Sequence, residues 1–207
     1  MAVNKRACYA CSCRMLGHAL FLAGCVLSLA RMNPLKAPPA VDSVDILRYL
    51  GRWDQPYADL ASDTFESKYC VVADYGVFAN GTISVRNRDR LVSVSGAQNG
   101  ILGWGGFNRT GLGTITGSLT VNLQIPKSRG PPFPAPYDII LLGPPTYGPL
   151  GLYEYSVVSD PLGLTLFVLA RDYTTFFKKY NKTVIETLEK DGFVTVRCCC
   201  CLLTLRC

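Results

Sequence analysis

The chain has 207 residues, enough for one domain with a substantial core plus a targeting segment. Its net charge of +6 is not a nucleic-acid footprint, because Lys5, Arg6, Arg14, Arg31 and Lys36 all precede the first acidic residue, Asp42. From residue 38 onward 16 Lys and Arg face 15 Asp and Glu, so the body is close to neutral.

Residues 15–30 form an apolar run behind a basic head, the layout of a signal peptide, with Ser28-Leu29-Ala30 or Leu35-Lys36-Ala37 as the cut. The run is short for a membrane span, which takes about 20 apolar residues. An uncleaved anchor or an organelle presequence is the alternative. Leu22-Ala23-Gly24-Cys25 is similar to a bacterial lipoprotein box, but apolar residues follow Cys25 where a mature lipoprotein turns polar. Residues 1–37 are therefore assigned to targeting or anchoring and residues 38–207 to one domain. A secreted or extracytoplasmic location follows, with a membrane-anchored form as the variant. Three sequons, at Asn80, Asn108 and Asn181, would be glycan acceptors on a eukaryotic secretory route.

Residues 31–48 are rich in Pro and Ala and read as an extended lead-in. After Trp53 the pattern is β, with predicted strands at 69–78, 81–87, 91–95, 111–124, 137–142, 153–159 and 164–170. Turn residues separate them, among them Asn80-Gly81 and Asp160-Pro161-Leu162-Gly163. The Gly- and Pro-rich span 96–151 predicts long or irregular loops. Short strands at regular spacing mean a sandwich or a barrel. One helix is predicted over 173–191, from the stripe Phe176, Phe177, Tyr180, Val184, Ile185 and Leu188, with a break near Asn181 and a stop at Gly192. A short strand, 193–197, precedes the tail.

The only histidine is His18, in the N-terminal segment. The body thus has no histidine for Ser-His-Asp or Cys-His catalysis or for ligating haem. No phosphate loop, zincin helix or EF-hand loop is present. Contiguous Cys198, Cys199, Cys200 and Cys201 lack the two-to-four-residue spacing of structural zinc pairs. No metal and no cofactor is expected.

Tyr49-Leu50-Gly51-Arg52-Trp53 at the head of the β region and Val168-Leu169-Ala170-Arg171 at its end resemble the paired motifs of the lipocalin family. Phe65, Cys70 and Asn80-Gly81, in register between them, resemble its apolipoprotein D and bacterial outer-membrane branch. The resemblance covers about residues 38–197. It implies an all-β fold, an eight-stranded antiparallel up-and-down barrel with a C-terminal α-helix. It gives Gly51, Trp53 and Arg171 a structural role at the closed end, where an Arg guanidinium over a Trp ring plugs the barrel. The second family motif is poorly kept, since residues 142–155 carry a Pro/Gly-rich insertion where a tight turn is expected.

The resemblance further implies a disulfide from Cys70 to one of Cys198, Cys199, Cys200 or Cys201. The ends of a second family bridge are jointly missing, and the surplus tail cysteines have no family counterpart. Tyr75, Asn87 and Phe167 fall on positions that line the pocket in apolipoprotein D-like proteins, with Tyr137 a fourth. Phe167 and Leu169 share the parity of Arg171 and should point inward. The implied function is binding and transport of a small hydrophobic molecule (a lipid, fatty acid, sterol, retinoid or pigment) and not catalysis. The alternative is an enzyme on the same fold, of the isomerase or carotenoid de-epoxidase type. The partner is the small ligand, with no nucleic acid; association with a membrane surface through the Cys-rich tail is a further option.

Overall fold

Gly51 explains why the first strand begins where it does. Its φ of +96° is a left-handed value that L side chains rarely adopt, and a Cβ there would sit 3.2 Å from Arg171 Nη1. The chain therefore turns out of a short helix, α1 (Ile46–Tyr49), into β1 (Gly51–Asp59) directly beneath the arginine. Asp45 caps α1 by accepting from Leu47 N at 3.1 Å.

The computed structural model describes residues 36–59, 69–109, 114–124, 131–193 and 195–197. The strands after β1 are β2 (Tyr69–Val77), β3 (Ile83–Arg90), β4 (Gln98–Arg109), β5 (Ile115–Gln124), β6 (Phe133–Leu142), β7 (Tyr155–Ser159) and β8 (Leu166–Ala170). Each pairs antiparallel with the next, and β1 pairs with both β8 and β2, which closes an eight-stranded barrel. The last strand, β9 (Thr195–Arg197), adds outside the ring, on the Tyr57–Asp59 end of β1.

Period-2 alternation sorts the side chains into two cores. Trp53, Ala73, Tyr75, Ile83, Val85, Leu119, Val121, Ile139, Val158 and Leu169 fill the barrel interior. Val157, Leu166, Val168 and Ala170, of opposite parity, face outward and meet the C-terminal helix. That helix runs as α2 (Tyr173–Thr175), a π-helical stretch (Phe176–Tyr180) and α3 (Asn181–Lys190). Phe176, Val184 and Leu188 are its buried anchors. Gly192, at φ +87°, ends it, and Phe193 N returns to Leu188 O at 2.9 Å.

Three expectations from the sequence are corrected. The break near Asn181 is a π-helical stretch within a continuous helix. The wider π turn brings Phe176, Phe177 and Tyr180 against Tyr57 and Tyr155, at centroid distances of 5.1–6.5 Å. Residues 91–95 are no strand but the β3–β4 hairpin, with Val92 at φ +67° and fully outside. Residues 98–109, expected to be irregular, form a long strand, β4. Gly103 is needed there, since a Cβ on it would lie 2.4 Å from Asn122 O on β5.

The lead-in is held as well as extended. Val41 bridges β5 and β6, donating to Ile139 O at 2.8 Å and accepting from Gly117 N at 2.8 Å. The Pro/Gly-rich insertion folds into an ordered turn between β6 and β7, with a Tyr147–Leu152 bridge and an Arg48 Nη1 bond to Gly151 O at 2.9 Å.

Candidate functional site: the barrel interior

Burial alone makes the closed end a rigid plug. Trp53 is completely buried, and its indole donates from Nε1 to Tyr49 O at 2.9 Å. The Arg171 guanidinium lies over its ring, Cζ 3.6 Å from the centroid. Arg171 also donates to five backbone carbonyls: Tyr153 at 3.3 Å, Arg52 at 2.7 Å, and Arg48, Tyr49 and Leu50 at 3.2, 3.0 and 2.7 Å. Burial pulls its pKa down to about 10, which still leaves it cationic at neutral pH. It is the only buried cationic residue among those described.

Above the plug stand three tyrosines. Tyr137 Oη meets Tyr49 Oη at 2.8 Å and Tyr75 Oη at 3.0 Å, and Tyr49 Oη meets Ser156 Oγ at 3.0 Å. The rings of Tyr49 and Tyr75 stack at 5.8 Å, and those of Tyr75 and Tyr137 meet edge to face at 6.1 Å. Burial pushes the Tyr49 phenol up to about 12, against the hydrogen bonds from Ser156 and Tyr137. It also raises Tyr137 well above its ordinary value, with the neighbouring phenols adding to the effect. Tyr49 and Tyr137 thus stay neutral at physiological pH.

These tyrosines, with Leu50, Ile83, Val85, Gly105, Leu119 and Val121, enclose a cavity of about 10 Å³, room for a single water.

Tyr75 and Tyr137, expected from the sequence, line this cavity directly. Asn87 and Phe167 do not line it but face the same interior. Phe167 packs against the barrel core, next to Leu169, as its parity with Arg171 requires. Asn87 sits one inward step along β3 from Val85, opposite Ala73 on β2 and Ile101 on β4. Its side-chain oxygen is buried with no hydrogen-bond partner. The other such atom among the described residues is Nε of Arg88, which faces outward, where its guanidinium pairs with Asp74. Tyr49 was not expected from the sequence, although it heads the Tyr-Leu-Gly-Arg-Trp motif; its role depends on α1 folding under the barrel.

Cys70 is buried at a bulge of β2 with φ +53° and is disulfide-bonded. It borders a groove of about 190 Å³ on the outer wall, with Arg52, Val72, Arg88 and Arg90, and does not line the interior cavity. The tail cysteines Cys198 to Cys201 lie outside the described residues, as does the leader. Of the sequon asparagines, Asn80 is exposed in the β2–β3 hairpin, where its Oδ1 accepts from Thr82 Oγ1 at 2.6 Å. Asn181 accepts from Tyr57 Oη at 2.7 Å at the helix–barrel seam. The side chain of Asn108 lies outside the described residues.

Asp54, outward-facing on β1, has its carboxyl pushed up to about 6 by burial, with Asp172 and Asp74 adding to the rise and Arg52 opposing it. Among the described residues no group of His, Cys, Asp and Glu could hold a metal ion, and no helix is long and apolar enough to cross a membrane.

Comparison with known proteins agrees with this architecture. Residues 114–199 match a family described as "Lipocalin domain". A segment of 67 residues, 32% of this chain, is 36% identical to apolipoprotein D of Mus musculus. The match spans about a third of that relative's length, 33%. Among solved structures, insecticyanin from the tobacco hornworm Manduca sexta superposes with a TM-score of 0.50 over 76% of this chain and 79% of its own, at 15% identity. That likeness concerns the fold alone. The closed barrel, the plugged end and the helix laid against β7 and β8 are the fold of that structure, and the chain is similar in sequence to the lipocalin domain over residues 114–199 and to apolipoprotein D over 67 residues.

Proposed function

We propose that this protein binds a small hydrophobic molecule within its barrel and carries it in an extracytoplasmic fluid. The observation that carries the reading is the inner wall: apolar and aromatic side chains with one buried, unpaired side-chain oxygen, that of Asn87. A folded protein keeps such an atom at a cost of about 1–3 kcal/mol, and a ligand hydroxyl would relieve it. Tyr75, Tyr137 and Phe167 would supply the apolar contact, at roughly 25 cal/mol per Å² buried. Because the cavity is about 10 Å³, a ligand enters only as the tyrosine rings swing aside.

The test is fluorescence titration with a retinoid and a polyene fatty acid, together with mass spectrometry of lipid extracted from native protein. Phe167→Ala should weaken apolar ligands generally by about 1–3 kcal/mol. Equal binding by wild type and by the Phe167→Ala, Asn87→Leu and Tyr137→Ala variants would place any site elsewhere.

An enzyme on this fold is the second reading, and Cys70 is what bears on it. A cavity thiol would be its nucleophile, whereas Cys70 is disulfide-bonded and borders the outer groove. Its pairing with one of Cys198, Cys199, Cys200 or Cys201 is part of the proposal, as are a cleaved leader ahead of residue 38 and a glycan at Asn80. Non-reducing peptide mapping that recovers Cys70 joined to a 198–201 peptide supports the pairing; an alkylatable Cys70 in native protein overturns it.

A further inference from the structure

We infer that the barrel selects hydrophobes with an uncharged, hydrogen-bond-donating head, such as long-chain alcohols or sterols, over carboxylates of the same shape. This rests on the ligand-binding reading above and deepens it.

Three features of the interior converge on this class. A buried carboxylate needs a cation or several donors to offset its lost hydration. The one buried cation among the described residues, Arg171, is already engaged by five carbonyls and the Trp53 ring. Its guanidinium donates to the backbone carbonyl of Tyr49 and has no hydrogen bond to Asn87 Oδ1.

The unmet demand in the interior has a definite sign. Asn87 Oδ1 is an acceptor, so it is satisfied by a donor and repels an anion.

The tyrosine layer completes the pattern. Its hydroxyls are joined to one another and to Ser156, and burial strongly disfavours ionisation of Tyr49 and Tyr137. The same burial penalises any anion placed beside them. A hydroxyl head can join such a chain, since it donates and accepts.

The experiment compares retinol with retinoic acid, which share a hydrocarbon body, by fluorescence titration at near-neutral pH. Diphenylhexatriene serves as a headless probe. Retinol should bind at least about tenfold tighter than retinoic acid, the worth of one buried hydrogen bond. The acid should recover affinity as the pH falls toward about 5, where more of it is uncharged. Asn87→Leu should weaken retinol about tenfold and leave diphenylhexatriene unchanged.

Retinoic acid binding as tightly as retinol would overturn the head-group selection and leave ligand binding standing. Failure of all three probes to bind would overturn both. A retinol preference that survives Asn87→Leu would overturn the part assigned to Asn87. Diphenylhexatriene binding is the check that the Asn87→Leu variant is folded and its barrel open.

Discussion

The closed end and the middle of the barrel are built from similar materials, aromatic rings and buried polar groups, yet they are finished differently. At the closed end Trp53 Nε1 is bonded, and Arg171 is held by five carbonyls and a ring. One inward step above Val85, the oxygen of Asn87 is left without a partner. A group that serves stability is satisfied within the fold, because an unmet buried hydrogen bond is costly. A group left unmet in the ligand-free protein fits one whose partner arrives from outside. The contrast can be tested by asking which region loses stability when altered and which gains it.

Trp53→Ala should have the largest effect, a loss of about 3–5 kcal/mol, as for other buried aromatic truncations. Denaturant unfolding measures it. A double-mutant cycle with Arg171→Ala should show coupling well beyond additivity, because the two side chains share one stack. Additive losses would dissolve the plug as a unit.

Gly51→Ala should follow, at about 2 kcal/mol, since it forces an L side chain to φ +96° and crowds the Arg171 guanidinium. Thermal unfolding would show it. An unchanged Tm would mean the plug tolerates a displaced arginine.

Asp54 provides a pH-dependent comparison. Its folded-state pKa, about 6, stands above the ordinary carboxylate value of 3.8, so the folded protein binds the proton more tightly than the unfolded chain. Its contribution is therefore a destabilisation that is absent below pH 3.8, grows as the pH rises, and is complete above pH 6. Asp54→Asn should then stabilise by about 1–2 kcal/mol at neutral pH and give no gain at low pH. Unfolding curves across that range check it, and a gain independent of pH would assign the effect to packing.

The smallest effect should have the opposite sign to the plug variants. Asn87→Leu removes a buried oxygen without a partner, so the ligand-free protein should gain up to about 1 kcal/mol while losing affinity for a hydroxyl-bearing ligand. A loss of stability instead would make Asn87 an ordinary structural residue and erase the contrast between the two regions.

How far these regions were legible in the sequence differs for physical reasons. The inward facing of Phe167, Leu169 and Arg171 follows from strand alternation, so counting along β8 was enough to place them. Tyr75 came instead from the family resemblance. The strand β4 escaped the counting, because Gly100, Gly103, Gly105 and Gly106 read as loop on propensity. Gly100 and Gly103 belong in the strand because neighbouring backbone comes too close for a side chain, Asn87 O at 2.6 Å and Asn122 O at 2.4 Å from a Cβ there. Residues 91–95 misled in the other direction: Leu91, Val92 and Val94 look like a strand, yet they cap a hairpin where the chain must turn.

What the sequence by itself determined was the barrel and its plug. Strand alternation and turn residues alone give a sandwich or a barrel, and the resemblance carried by the Gly-x-Trp start and the closing Arg171 selects the closed barrel. What only the tertiary structure decided was the state of the interior. Tyr49, Tyr75 and Tyr137 come from three separate elements, and that their hydroxyls meet within 3.0 Å depends on where α1, β2 and β6 converge. The near-closure of the cavity and the unpaired oxygen of Asn87 are likewise properties of packing. Volume and hydrogen-bond satisfaction are sums over neighbours distant in the chain, and no local pattern carries them.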